Sequence, residues 1–147
     1  MKKNIYLIIS ILTILFSACD KDIDNPEVIE FYEPDYTALW LVGSSVPAGW
    51  DIGNPTPMIV DSKDPFVFIW EGELKPGEFK IPTKVGDWGC DFFMPVENHQ
   101  DINSNAVELV VGGNPDKKWE ITAETTGNYQ IRLNTKPPIS IHIEKLN

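Results

Sequence analysis

From Thr37 onward, short apolar runs are separated every few residues by glycine, proline, asparagine or aspartate. Residues 39–42 and 66–70 are rich in β-branched and aromatic side chains, which favour strands. In residues 128–134 and 139–144 apolar positions alternate with polar ones, so each strand is expected to have one buried and one wet face. No segment has the period of an amphipathic helix. The pattern predicts an all-β antiparallel sandwich of about eight short strands, with a small barrel as the alternative.

One turn signal lies between two of these runs. Residues 75–77 are Lys-Pro-Gly, and the Pro-Gly pair is typical of a type II turn. This turn predicts a hairpin between residues 66–74 and 78–82. Alternation in the second strand directs Lys80 away from its apolar neighbours, to the face opposite the core. Lys80 is therefore expected to be available to a ligand.

The first 18 residues have the form of a secretory signal. Two lysines precede an apolar run at residues 5–16, which is too short to span a bilayer. The Phe-Ser-Ala before Cys19 resembles a bacterial lipobox, although Phe16 stands where that pattern usually has leucine. The resemblance implies removal of residues 1–18 and attachment of diacylglycerol to the Cys19 thiol. The alternative is an ordinary signal peptide followed by a free cysteine.

Residues 19–36 are acidic, contain Pro26 and Pro34, and show no regular period. Such a composition predicts a solvated tether between the lipidated cysteine and a folded domain. The acidic cluster directly after Cys19 also resembles the surface-export signal of Bacteroidetes-type lipoproteins. That resemblance implies a domain exposed outside the cell. Residues 37–147 are long enough to form one domain with an adequate core.

The chain has a net charge of −10, and loss of the two signal lysines would make it more negative. Such a surface repels phosphate backbones, so nucleic acid is not expected as a partner. It also lacks a polybasic region that could support membrane binding, which leaves the lipid as the predicted anchor. With Cys19 lipidated, Cys90 has no cysteine to pair with, and its aromatic neighbours predict a buried structural thiol rather than a nucleophile.

The chain has five tryptophans, and their neighbours divide them into two groups. Trp40, Trp70 and Trp119 lie in predicted strands, so they are expected to belong to the core. Trp50 and Trp88 lie in loops beside glycines, which would leave their rings exposed. An exposed flat ring beside hydrogen-bonding side chains suits the apolar C–H face of a pyranose.

Each of these candidate residues also has a simpler interpretation. Trp88 shares its parity with Cys90 and Phe92, so it would point inward if a strand had already begun there. Trp50 could pack its own loop against the edge of the sandwich. Lys80 could be an ordinary solvated lysine.

Several linked motifs resemble starch-binding modules of the glucoamylase type. They are more similar to the repeated domains of the SusE/SusF family of outer-membrane starch-binding lipoproteins. The resemblance extends from Ala38 to about Ile143. Its motifs, in chain order, are LWLVGSSVPAGWDIGNPTPM, GELKPGEFKIPT, DWGCDFFMP, KWEI and GNYQIRLNT.

The resemblance implies a specific binding site and a non-catalytic function. The family's binding residues fall on Trp50, Lys80 and Trp88, and Asp51 and Asp91 are the nearby groups expected to contact sugar hydroxyls. The implied ligand is a neutral polysaccharide or oligosaccharide, with starch favoured, and no cofactor is implied. The implied partners are the outer membrane and, beside it, other glycan-uptake lipoproteins and a transporter. Family members usually carry several such domains, whereas this sequence has room for one.

Three alternatives to glycan binding remain at the level of sequence. The domain could be a non-binding accessory subunit of an outer-membrane transporter complex. A glycosidase would need two carboxyls on opposite sides of a cleft, and Asp87 and Asp91 flank a loop tryptophan. A small sandwich with short loops offers little cleft, however, so no enzyme is expected. Residues 101–105 have the oxygen-ligand spacing of a calcium loop, but Ala106 and Gly112 stand where that loop needs glycine and glutamate, so no metal is expected.

Overall fold

A computed structural model describes residues 33–147 of the chain. The predicted signal, the predicted lipid anchor at Cys19 and all but the last residues of the predicted tether lie outside the described residues. The described part contains eleven strands and one short 3₁₀ turn at Val111–Gly113. The strands are β1 (Trp40–Leu41), β2 (Thr56–Pro57), β3 (Ile59–Val60), β4 (Val67–Leu74), β5 (Gly77–Phe79), β6 (Ile81–Pro82), β7 (Phe92–Met94), β8 (Glu108–Val110), β9 (Trp119–Ile121), β10 (Gly127–Asn134) and β11 (Ser140–Lys145).

The strand pairings are antiparallel, and the sheets remain open rather than closing into a barrel. The predicted all-β, sandwich-like fold is therefore confirmed. The described residues contain more strands than the predicted eight because some of the strands are very short. The predicted strand at residues 78–82, for example, is divided into β5 and β6, which are separated by Lys80 alone. No helix within residues 33–147 is long and apolar enough to cross a membrane.

The strands form two layers around the main core. The back sheet has the order β11-β10-β4-β3, and the front layer contains the pairs β1-β2 and β5-β9 and the sheet β6-β7-β8. An antiparallel bridge between Val42 and Lys80 connects parts of the front layer. The core between the layers contains Phe68, Trp70, Leu74, Tyr129, Ile131 and Leu133 from the back sheet and Leu39, Leu41, Phe79, Ile81, Phe93 and Trp119 from the front layer.

The predicted hairpin across residues 75–77 is wrong. Strand β4 pairs with β10 and β3, whereas β5 pairs with β9, so the Lys-Pro-Gly segment crosses from the back sheet to the front layer. Residues from the loop after β1 hold the crossing in place: the Lys75 amide donates to the Ser45 carbonyl at 3.0 Å, and the Glu78 amide donates to Ser44 Oγ at 3.0 Å. All eight residues of β4 find partners along β10, a longer ladder than the short β5 could provide.

The alternation predicted for β10 and β11 is confirmed. Tyr129, Ile131 and Leu133 are buried, as are Ile141 and Ile143 on the neighbouring strand, and the residues between them are more exposed. The two strands pair antiparallel over six registered positions. This hairpin forms one side of the sandwich.

A second, smaller cluster of buried side chains lies on the face of the front layer that points away from the main core. It contains Val42, Ile52, Cys90, Phe92, Met94 and Val110. Along β7 the division is clear, since Phe93 belongs to the main core while Phe92 and Met94 belong to the second cluster. Cys90 is 4% exposed and unpaired, which confirms the predicted buried thiol.

The strand tryptophans are not equivalent. Trp70 and Trp119 are buried in the main core, as predicted. The prediction for Trp40 is wrong, because this side chain is only half-buried. Leu39 and Leu41 occupy the inward positions of the strand, and alternation turns Trp40 to the other face.

Candidate functional site

The loop after β1 carries Trp50 to the surface. At its start Gly43 adopts a φ of 146°, and its amide donates to the Gly49 carbonyl at 2.8 Å, so the chain returns on itself. Ile52, two residues after the tryptophan, is buried in the second cluster and anchors the far end of the loop. Trp50 itself is 40% exposed, so its ring is not packed away beneath the loop.

Trp88 lies in a second loop, formed by residues 83–91. The Thr83 amide and hydroxyl both donate to the Asp91 carbonyl, at 3.0 and 2.8 Å, and close the base of the loop. Near the tip, Asp87 Oδ1 accepts from the Gly89 amide at 2.8 Å. Because β7 begins only at Phe92, no strand directs Trp88 inward, and the ring is 46% exposed.

The two loops are joined, and their tryptophans face the same surface. The Gly86 amide donates to the Ile52 carbonyl at 2.7 Å. The Trp50 and Trp88 ring centroids are 6.3 Å apart, with an angle of 42° between the ring planes. Trp88 also stacks on Phe92 of the second cluster, with centroids 6.2 Å apart and an angle of 16°. We call the exposed rings of Trp50 and Trp88 the aromatic platform.

Lys80 lies under this platform rather than on the open surface. It points away from the main core as predicted, but it is only 5% exposed, so the expected availability to a ligand is wrong. The second cluster covers this face of the strand, and the ammonium lies 4.2 Å from the Phe92 ring centroid and 5.3 Å from that of Trp88. Its Nζ is 2.7 Å from Asp116 Oδ1. A buried ammonium with a carboxylate partner and aromatic neighbours is a stabilised charge.

Asp116 links Lys80 to a second lysine. Its other oxygen, Oδ2, accepts from Lys118 Nζ at 2.8 Å. Burial raises the pKa of Asp116, but hydrogen bonds from Lys118 and Lys80 outweigh that effect, and the net pKa lies below its ordinary value. The register of β5 and β9 pairs Phe79 with Trp119, which places the two lysines at adjacent positions across the strands. The two positively charged lysines therefore share the Asp116 carboxylate.

The sequence does not single out Asp116 or Lys118 as site residues. The one available signal is that Lys118 alternates with the buried Trp119 and so faces away from the main core. That signal becomes informative only when β9 is known to lie beside β5, and the sequence predicted a different neighbour for β5.

The predicted aspartates have local roles in the two loops. Asp51 is exposed beside Trp50, its Oδ1 accepts from the Gly53 amide at 3.0 Å, and its carbonyl accepts from the Asn54 amide at 3.1 Å. These bonds fix the turn after Trp50. Asp51 therefore shapes the loop at the edge of the platform.

Asp91 is directed elsewhere. Its Oδ1 accepts from the Gly112 amide at 2.9 Å. Burial, together with the negative charges of Asp35 and Asp91, raises the pKa of Tyr36, whose ring contacts Phe93 edge-on at 5.3 Å. The structure thus brings Trp50, Trp88 and Lys80 together but gives Asp91 different neighbours.

A concavity of about 590 Å³ lies elsewhere, lined in part by His99, Glu120, Tyr129 and Lys145. His99 Nε2 is 2.6 Å from Glu78 Oε1, so its ring is already engaged with a neighbouring carboxylate. Within residues 33–147, no group of three histidine, cysteine or acidic side chains is arranged to hold a metal ion. Stacking on a flat surface needs no cavity, so we take the aromatic platform as the candidate site.

Comparison of the chain with protein-family models, with curated proteins and with solved structures found no match.

Proposed function

We propose that this domain binds a neutral glycan without cleaving it, and that the aromatic platform is the binding surface. The observation that carries the proposal is the pair of exposed rings, 40% and 46% exposed, with centroids 6.3 Å apart. Exposed tryptophans of this size are costly to leave in water, and their faces match the C–H faces of pyranose rings.

The angle between the rings favours a bent ligand over a flat one. Two coplanar rings would suit an extended ribbon of sugars, whereas ring planes 42° apart suit successive residues whose faces turn along the chain. Starch and related α-glucans curve in this way, which agrees with the resemblance of the motifs to starch-binding modules. The favoured ligand is therefore an α-glucan.

The support beneath the rings is suited to binding without large rearrangement. Trp88 rests on Phe92, and the loops of both tryptophans are tied to each other through the Gly86 to Ile52 hydrogen bond. A preorganised surface loses less conformational entropy when the ligand binds. Each ring stacking on one sugar face would contribute roughly 1.5 to 2 kcal/mol.

Two rings and a few hydrogen bonds imply a dissociation constant on the order of 0.1 to 1 mM. Such an affinity is useful for a repetitive polymer, or where neighbouring binding proteins raise the effective concentration. From the sequence motif at Cys19 we propose that lipid holds the domain at the outer surface of the outer membrane, where it would capture polysaccharide beside other glycan-uptake lipoproteins and a transporter.

Affinity electrophoresis through gels containing amylopectin, pullulan, levan or xylan tests the proposal. We expect the protein to be retarded by amylopectin or pullulan. In the double variant Trp50→Ala, Trp88→Ala, we expect the retardation to disappear, because both stacking surfaces are lost. Each single variant should weaken binding by about tenfold, as expected for roughly 1.5 kcal/mol of lost stacking.

Ile59→Ala is the matched control, since Ile59 is 74% exposed but belongs to β3 at the edge of the back sheet. This variant should migrate like the unmodified protein. Migration of the unmodified protein unaffected by all four polymers would contradict the proposed function. So would full binding by the double tryptophan variant.

The alternative of a non-binding accessory subunit has one observation in its favour. Ile59 and Val60 are exposed apolar residues on the short edge strand β3, where they could contact a transporter subunit. Copurification of a transporter that is lost in Ile59→Lys, together with no retardation by any polymer, would favour this second function.

A further inference from the structure

The chemistry beside the aromatic platform extends beyond stacking. Lys80 Nζ lies 5.3 Å from the Trp88 ring centroid and 2.7 Å from Asp116 Oδ1, so this carboxylate oxygen lies within about 8 Å of the ring centre. A pyranose stacked on Trp88 would project its hydroxyls outward from the ring by a few ångströms. A distance of at most about 8 Å makes the Asp116 carboxylate a candidate partner for such a hydroxyl, directly or through one water.

Lys80, Lys118 and Asp116 differ in how much of each side chain is exposed, and this difference assigns their roles. The side chain of Lys80 is 7% exposed, that of Lys118 is 21% exposed and that of Asp116 is 50% exposed. Lys80 is too deeply buried to be the main contact for a ligand. Asp116 is the member of this group that faces solvent.

The carboxylate also has acceptor capacity left. An ionised carboxylate offers about four lone-pair positions on its two oxygens. Lys80 occupies one position on Oδ1 and Lys118 occupies one on Oδ2. Each oxygen can therefore accept one further hydrogen bond, and the two lysines fix the plane of the carboxylate. Two acceptors held side by side match two neighbouring hydroxyls of one sugar ring.

We propose that Asp116 is a ligand-binding residue of the platform, and that its carboxylate, oriented by Lys80 and Lys118, accepts hydrogen bonds from adjacent hydroxyls of a sugar stacked on Trp88. This inference rests on the proposed function. Lys80 is then a positioning residue: it holds the carboxylate from below and supports the Trp88 and Phe92 rings through its charge. The ligand class is a neutral sugar with vicinal hydroxyls beside its stacking face.

Asp116→Asn tests the proposal with little change in shape. The amide keeps an oxygen for one lysine but loses the charge and one of the two acceptors. In affinity electrophoresis through amylopectin we expect binding to weaken by about tenfold or more, since hydrogen bonds to charged groups are the stronger ones. The tryptophan fluorescence of the ligand-free variant should match that of the unmodified protein.

Asp61→Asn is the matched control. Asp61 also accepts from a basic side chain, Arg132 at 3.0 Å, and its pKa is also lowered, by hydrogen bonds from the Lys63 amide and the Arg132 side chain. Arg132 lies on β10 of the back sheet, so this change should leave retardation unaltered.

Lys118→Met provides a second test if Asp116→Asn does not fold. It keeps the Lys80 to Asp116 pair but frees Oδ2, so binding should weaken by several-fold as the carboxylate loses its fixed plane. Unaltered binding by a folded Asp116→Asn variant overturns the proposal. So does weakened binding accompanied by a changed tryptophan fluorescence of the free protein. Unaltered binding by Lys118→Met overturns it when Asp116→Asn is unfolded. If the unmodified protein is not retarded by any polymer, the proposed function itself fails.

Discussion

At the scale of single residues, Gly43 decides whether the Trp50 loop can form. A Cβ at this position would lie 2.1 Å from the Glu78 carbonyl oxygen and 2.5 Å from the Phe79 Cα, both backbone atoms of the neighbouring strand. Its φ of 146° is also one that side chains with a Cβ rarely adopt. Glycine is required here because the two backbones approach so closely.

We expect Gly43→Ala to lower the free energy of unfolding by about 3 kcal/mol or more, through overlap and backbone strain. Gly49→Ala is the matched control: its φ is 62°, and no atom outside its chain neighbours lies within 4 Å of the added Cβ. That change should cost only about 1 kcal/mol. Urea denaturation measures both, and equal losses would contradict the close approach at Gly43.

Lys80 has two structural roles, and the sequence alone does not separate them. Its parity directs it away from the main core, yet the second cluster covers that side as well. The aliphatic stem and the charge are both used, the first in packing and the second in binding Asp116. Exposure therefore depends on what lies over the strand as well as on the direction of the side chain.

At the scale of elements, the strand β9 contributes the largest fully buried side chain of the main core. Trp119 stacks on Phe79 of the paired strand, with centroids 5.1 Å apart and an angle of 20°. Its indole Nε1 is buried and has no hydrogen-bond partner among the described residues. This contact joins β9 to β5 and so supports the position of Asp116 and Lys118.

We expect Trp119→Ala to reduce the free energy of unfolding by about 3 to 5 kcal/mol, because it leaves a large cavity. Trp119→Phe should cost less, since it keeps most of the ring packing and removes an unsatisfied donor. Trp40→Ala is the comparison: Trp40 is half-buried, so about 1 to 2 kcal/mol is expected. Thermal or urea unfolding would rank the variants by their loss of unfolding free energy. A greater loss in Trp40→Ala than in Trp119→Ala would contradict the expected order.

At the scale of the whole molecule, the sandwich presents the aromatic platform on one layer, while residues 1–32 lie outside the described structure. The lipid anchor predicted for Cys19 rests on the sequence motif. Under the proposed function this anchor would matter, because a millimolar binding site gains from confinement to a surface shared with similar sites.

We expect the full-length protein made in a Gram-negative host to partition into the detergent phase of Triton X-114, and Cys19→Ala to move it to the aqueous phase. The sequence predicts a single acylated cysteine as the only anchor, because a chain with a net charge of −10 lacks a polybasic region that could support membrane binding. Cys90→Ala serves as the control and should still enter the detergent phase. Detergent partitioning of Cys19→Ala would contradict the anchor.

Local pattern predicted much of the fold. The β-rich run at residues 66–74 and the alternation in residues 128–134 and 139–144 located β4, β10 and β11 to within a few residues. The glycines around Trp50 and Trp88 indicated the exposure that both rings have. These properties depend on chain neighbours and on the two-residue period of a strand, which are written directly in the sequence. The all-β class and the identity of the platform residues therefore followed from the sequence by itself.

Pairing between distant strands was decided only by the tertiary structure. The Lys-Pro-Gly turn indicated a hairpin, but β4 gained its longest ladder with β10, and β5 paired with β9. That choice placed Asp116 beside Lys80 and buried the ammonium beneath Trp88. The energy of such contacts depends on which segments meet in space, and a local turn signal carries no information about competing partners more than 30 residues away.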